Sequence, residues 1–220
     1  MSKIKVSRDK LRVLNFRRMI ELKDFPVYRS LKVSEEPARI TFSDKAMMKM
    51  MALVMNCSNE IGWHGSVSKI GKGEYFVEDV YLYPMKTTGA TITAVNYEEW
   101  VTNEICTNFE RAAKRHLHGH SHVNMSTFPS HTDTDYEADT IEMLQPDGFY
   151  IFMIMNKRLD FWFLIADRED KVIYFNDKVT CDTEEDGMSD ILLVQYNNMI
   201  HEEKWHSNVY RMRGEEYGYE

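Results

Sequence analysis

His120-Ser121-His122 is followed by seven residues, then Ser130, two more residues and Asp133, which fixes five polar positions relative to one another. On a strand, side chains two apart project to one side with Cα atoms roughly 6.7 Å apart, so two imidazoles can converge on one ion. A loop returning about ten residues later can add a carboxylate. Two nitrogens and one oxygen suit Zn2+, and the fourth tetrahedral position is left to water, which separates a catalytic zinc from a structural one. Such a water has its pKa lowered toward ~7, and the ion also polarises an amide carbonyl. Hydrolysis further needs a carboxylate that is not a ligand, to take the water's proton and deliver it to the departing amine. Ser130 offers a hydroxyl donor to a tetrahedral oxyanion. The plain alternative is a histidine-rich strand facing solvent, because His116 and His118 continue the alternation. Ser130 and Asp133 in register weigh against it. His118 shares the face by parity and is expected to support the site or the core.

These residues need elements to hold them. Residues 116–122 have little helix propensity and read as a strand, and 124–134, rich in Ser, Thr and Asn with Pro129 inside, read as a loop. Upstream, 39–42 form a short strand, and Ser43 and Asp44 cap a buried helix rich in Ala and Met that runs to about Asn56. Residues 60–69, 75–84 and 88–95 look like consecutive antiparallel strands, the first two joined by Gly71-Lys72-Gly73. The spacing of Trp100, Ile105, Phe109 and Ala112 predicts an amphipathic helix over 96–115. Residues 149–155, 161–167 and 171–176 are three more strands, and Ser189 and Asp190 cap a last helix to about Glu203. The order implies a mixed α/β domain with helices packed around one curved sheet. Its expected limits are 39–180, with an N-terminal extension over 1–38 and a C-terminal helix and tail over 181–220.

The motif resembles that of the JAMM family, also called MPN-plus metalloproteases. There an upstream Glu is followed by His-Ser-His or His-Thr-His, seven residues, Ser, two residues and Asp. The downstream part matches at every fixed position, and Glu60-Ile61-Gly62-Trp63-His64-Gly65 stands where the family's Glu opens the strand after the first helix. The likeness covers roughly residues 39 to 135. It implies an MPN/JAB-like domain, a curved mixed sheet in a three-layer arrangement like that of cytidine deaminases. Zinc would sit on His120, His122 and Asp133, with Glu60 as general acid and base and Ser130 supporting the oxyanion. Glu74 and Glu78 are the rivals to Glu60, whose place just after the first helix puts it beneath the metal. The implied reaction is cleavage of a peptide or isopeptide bond in a protein or peptide, such as the C-terminal tail of a ubiquitin-like protein laid along a strand edge. Some relatives are non-catalytic scaffolds, but those typically lose ligands. Two departures bear on substrate fit: Val123 stands where relatives often have Pro, and Gly119 where an aromatic commonly stands.

The formal charge of −8 argues against nucleic acid as a partner. No apolar run reaches the eighteen residues a membrane helix needs, and the first ten residues do not build a signal region, so a soluble cytoplasmic protein is expected. Cys57, Cys106 and Cys181 are odd in number and widely spaced, which indicates neither a disulfide framework nor a thiolate zinc site. Residues 136–148 are expected to cover the site, and without a Cys they do not support the auxiliary Cys/His zinc site of some polyubiquitin-cleaving relatives. His64, His131 and Asp135 are expected near the site in ordinary polar or surface roles.

Overall fold

The computed structural model describes residues 30–184. The expected last helix and most of the N-terminal extension lie outside the described residues. Two strands set the architecture: β8 (Phe149–Met155) is buried along its whole length, and β9 (Phe161–Asp167) along all but its first residue. Continuous apolar runs of this kind belong to strands covered on both faces. They sit within a nine-stranded sheet. To one side lie β10 (Val172–Phe175) and the short β1 (Lys32–Val33), and to the other β7 (Arg115–Ser121), β3 (Gly62–Gly71), β4 (Glu74–Tyr81), β2 (Ala38–Phe42) and β11 (Val179–Thr183). Pairing is mixed: β7 runs parallel to β8 and antiparallel to β3, while β3 is antiparallel to β4. The protein is thus a mixed α/β fold with a curled mixed sheet flanked by helices. Strands on both sides of the span 39–180 join this sheet.

Helix α1 (Asp44–Asn56) forms as expected, and the Ser43 side chain accepts a hydrogen bond from the Ala46 amide at its start. Its Ala46, Met47, Met50, Met51 and Val54 are buried at helical spacing. α1 packs against β2 and β4.

Three expectations fail, each for a physical reason. The stretch 88–95 does not extend the main sheet. Instead β5 (Met85–Thr87) and β6 (Ile92–Ala94) pair only with each other, as a separate hairpin beyond Pro84. The helix expected over 96–115 is broken at Asn108 into α2 (Tyr97–Thr107) and α3 (Phe109–Ala113), and its expected inner face is kept only in part, with Trp100 packed against His64. Ile105 and Phe109 are 48% and 68% exposed. Beside Trp100, Glu104 also faces inward, its carboxylate held by Arg111. A carboxylate buried with a bidentate guanidinium partner rotates the helix away from the apolar reading. Finally, 131–143, read as the end of a loop and a covering segment, is helix α4 (His131–Met143). It packs Ala138 and Ile141 into the core beside Tyr150, Phe152, Ile154 and Leu164.

α4 lies on the connection between the parallel strands β7 and β8, a crossover that must carry the chain back over the sheet. Its N-terminus therefore returns to the C-terminal end of β7, the place where open α/β sheets bind ligands. The three cysteines are free, and Cys106 is exposed. No helix among the described residues is long and apolar enough to cross a membrane.

Candidate metal centre

β7 delivers the histidines. His118 and His120 pair across to Phe152 and Ile154 on β8 and share their face, and His122 follows just past the strand end. α4 delivers the aspartate. Ser130 is its N-cap: the Ser130 Oγ accepts from the Asp133 amide at 3.3 Å, and the Asp133 carboxylate accepts from the Ser130 amide at 2.6 Å. This reciprocal capping box fixes Asp133 while one of its oxygens remains directed at the rings.

The three side chains meet. His120 Nε2 lies 3.1 Å from His122 Nε2 and 3.3 Å from Asp133 Oδ1, and His122 Nε2 lies 3.7 Å from Asp133 Oδ2. All three donor groups fall within 4.8 Å of one another. A tetrahedral ion with ligands about 2.0–2.1 Å away needs them roughly 3.3–3.4 Å apart, so the triangle has the right size. The tautomer is right as well. His122 Nδ1 donates to the Ser126 carbonyl oxygen at 2.7 Å, which leaves a lone pair on Nε2, pointed into the triangle. The cluster can hold a metal ion.

Glu60 is buried beside it, at the head of β3. Its carboxyl interacts electrostatically with His122, His120 and Asp133, so a residue some sixty positions upstream has reached the site. Burial raises its pKa above the usual value, against the opposing pull of the two histidines and with Asp133 adding to the rise. Burial would also raise Asp133, but hydrogen bonds from His120 and His122 outweigh it and hold the acid well below the carboxylate range. For His122, burial lowers the pKa, and the Asp133 bond and Ser126 carbonyl turn the net shift upward. The rivals are elsewhere: Glu78 is taken by Ser68 and Lys114, and Glu74 lies exposed at the far end of β4.

What brings Glu60 here is a tie that the sequence did not reveal. Ser121, the middle residue of the motif, accepts a hydrogen bond from the Ile61 amide at its Oγ, 3.0 Å away, and its own amide donates to the Ile61 carbonyl at 2.9 Å. The Glu60 amide in turn donates to Thr88 of the β5–β6 turn. Gly119 faces the other side of the sheet, where the Trp63 indole lies across it and leaves no room for a Cβ. A close approach of ring to backbone thus dictates the glycine at that position. Val123 has φ 41°, a left-handed backbone that strains a β-branched residue and that proline cannot adopt.

The centre opens into a cleft of about 1020 Å³. Residues 90–94 of the hairpin form one wall and α4 another, so the hairpin and the first turns of α4 flank the site. His118 lines the cleft without joining the triangle; its Nε2 is 3.3 Å from the Tyr83 hydroxyl, and burial drives its pKa well down. His64 is nearby, buried, with Nε2 accepting from the Tyr97 hydroxyl at 2.8 Å. His131 and Asp135 lie 3.5 Å apart on the surface of α4. Two nitrogen ligands, one oxygen ligand and an adjacent raised carboxyl on an open cleft have the makings of hydrolytic chemistry. The chain matches no protein-family model and no curated protein.

Proposed function

We propose that this protein is a zinc-dependent hydrolase of peptide or isopeptide bonds, built on an MPN/JAB-like domain of the JAMM kind. The observation that carries the reading is Glu60: a buried carboxyl with a raised pKa stands beside the His120, His122 and Asp133 triangle, although nothing local in the sequence links them. Those three residues would hold the ion. When bound, zinc acidifies water and polarises an amide carbonyl. Glu60 takes the proton released on attack and hands it to the leaving amine, a task matched by a carboxyl whose pKa is raised toward neutrality. Ser130, with its Oγ accepting from the helix, keeps its hydroxyl proton free to donate to the oxyanion.

The substrate is a protein or peptide chain in extended form. The edge of β6 away from β5 has no strand partner among the described residues and borders the cleft, so a tail can add there as a strand and align its bond with the centre. The C-terminal tail of a ubiquitin-like protein is the substrate class the motif suggests. Two measurements test the reading: metal content of the purified protein, and cleavage of a panel of tagged peptide and ubiquitin-like tails. One zinc per chain is expected, with Glu60→Gln keeping the metal and losing about 10²–10⁴-fold in rate. A folded protein that takes up no zinc, or an undiminished Gln variant, removes the hydrolase.

A further inference from the structure

α4 carries another carboxyl, that of Glu137, one turn beyond Asp133. Residues four apart on a helix share a face and stand about 6 Å apart along its axis, so Glu137 follows Asp133 along the same wall of the cleft. It is 2% exposed, and its Oε2 is fully enclosed without a hydrogen-bond partner among the described residues. An enclosed carboxyl oxygen that recovers no hydrogen bond is a standing cost to the fold. Glu104 shows what a structural role looks like in this protein, since its buried carboxylate is clasped by Arg111. Among the described residues Glu137 has no such clasp, and no Lys or Arg lines the cleft. Burial, with the charge of Asp133 adding, pushes its pKa well above the carboxylate range, the signature of an acid awaiting a partner.

The surrounding wall is apolar, with Phe128, Tyr136, Phe152 and Ile154. Apolar surface ending in a lone carboxyl fits a basic side chain, whose methylene stem lies on the wall while its head meets the acid. The aromatic faces add cation–π attraction. The 6 Å step from a metal ligand, about the reach of one long side chain, puts that basic residue next to the bond being cut. We propose that Glu137 is a specificity-determining residue that receives a Lys or Arg side chain flanking the scissile bond. The proposal rests on the cleft being the substrate site of a peptide hydrolase.

The test is binding, so that it stands apart from turnover. Full-length protein, zinc-free and zinc-loaded, is titrated with n-butylguanidinium and with its neutral isostere n-butylurea, followed by NMR. Wild-type protein is expected to prefer the cation by about tenfold, or ~1.4 kcal/mol. Glu137→Gln, which keeps the shape, brings the ratio to about one, and Glu137→Asp retains part of the preference. No binding of the cation, equal binding of the two probes, or a preference that survives Glu137→Gln overturns the proposal. A cation preference in a protein that never cleaves a peptide would sink the hydrolase and the scissile-bond role with it, leaving Glu137 as a cation site only; cleavage without the preference would keep the hydrolase and remove the role proposed for Glu137.

Discussion

Ser121 shows how one hydroxyl can couple two halves of a centre. Its Oγ accepts the Ile61 amide, so the residue between the histidines holds the backbone next to Glu60 in place. Removing that acceptor leaves a partly buried amide unpaired, a loss of about 1–3 kcal/mol, and lets the carboxyl drift. Misplacement of a catalytic group by about 1 Å costs on the order of 10²-fold in rate. If the proposed zinc hydrolase holds, Ser121→Ala is expected to keep its metal while kcat falls by about 10–100-fold, and Ser121→Thr, which restores a hydroxyl, to recover most of it. Equal kcat in the Ala variant would show that the tie does not position Glu60. Val123 makes a second case. Its left-handed φ is held where Lys157 donates to its carbonyl, and a non-glycine residue there costs about 1–2 kcal/mol. Val123→Gly should leave stability level or slightly raised in chemical unfolding. Val123→Pro should lower it by about 1–3 kcal/mol.

At the start of α4 the chemistry and the fold share one device. The Ser-x-x-Asp spacing, read from sequence as oxyanion donor and ligand, is also an N-cap and its third helical residue, and the structure uses it as a capping box. Ser130→Ala removes the cap, with an expected loss of about 1 kcal/mol of stability, and frees Asp133 to leave the triangle. Zinc affinity, measured by competition with a chelator, should weaken together with the unfolding midpoint; a variant that loses rate alone would assign Ser130 to the oxyanion only. The spacing was legible as chemistry only, and both the cap and the helix it starts were missed, because the first turns of α4 are dominated by Thr and Asp and only Ala138 and Ile141 join the apolar core. Strands β8 and β9 and helix α1 could be read because their burial follows from composition and period. α2 was read as a helix with Trp100 turned inward, but its inward Glu104 was not, since its partner is seven residues away and a buried ion pair looks like surface in a sequence. The ligand triangle was visible in spacing alone. The meeting of Glu60 with it depends on β3 pairing with β7, a long-range register that only the family resemblance could suggest. Glu137 was invisible for the reason Glu104 was, as a carboxyl on a helix gives no sign of burial.

Folding as a whole must keep a cluster of imidazoles uncharged behind the cleft. His64 is buried among Tyr81, Tyr83, Tyr97 and Trp100, and burial, with the charge of Arg115 adding, lowers its pKa from 6.5 to about 3 against the mild opposing pull of the Leu117 carbonyl. The folded value lies below the unfolded one, so between them the unfolded chain binds a proton that the folded chain refuses. Stability from this residue is complete above pH 6.5 and drains away as pH falls toward 3, at about 1.4 kcal/mol per pH unit. His118 acts in the same direction. Acid should therefore loosen the metal-free protein well before its exposed carboxylates protonate. His64→Gln can still accept from Tyr97 but does not titrate, and denaturant unfolding at pH 7 and pH 5 isolates its share. The variant should lose about 2 kcal/mol less than the wild type across that interval. Parallel losses in the two proteins would mean that His64 titrates alike in the folded and unfolded chains, and that the aromatic cluster around it is open to water.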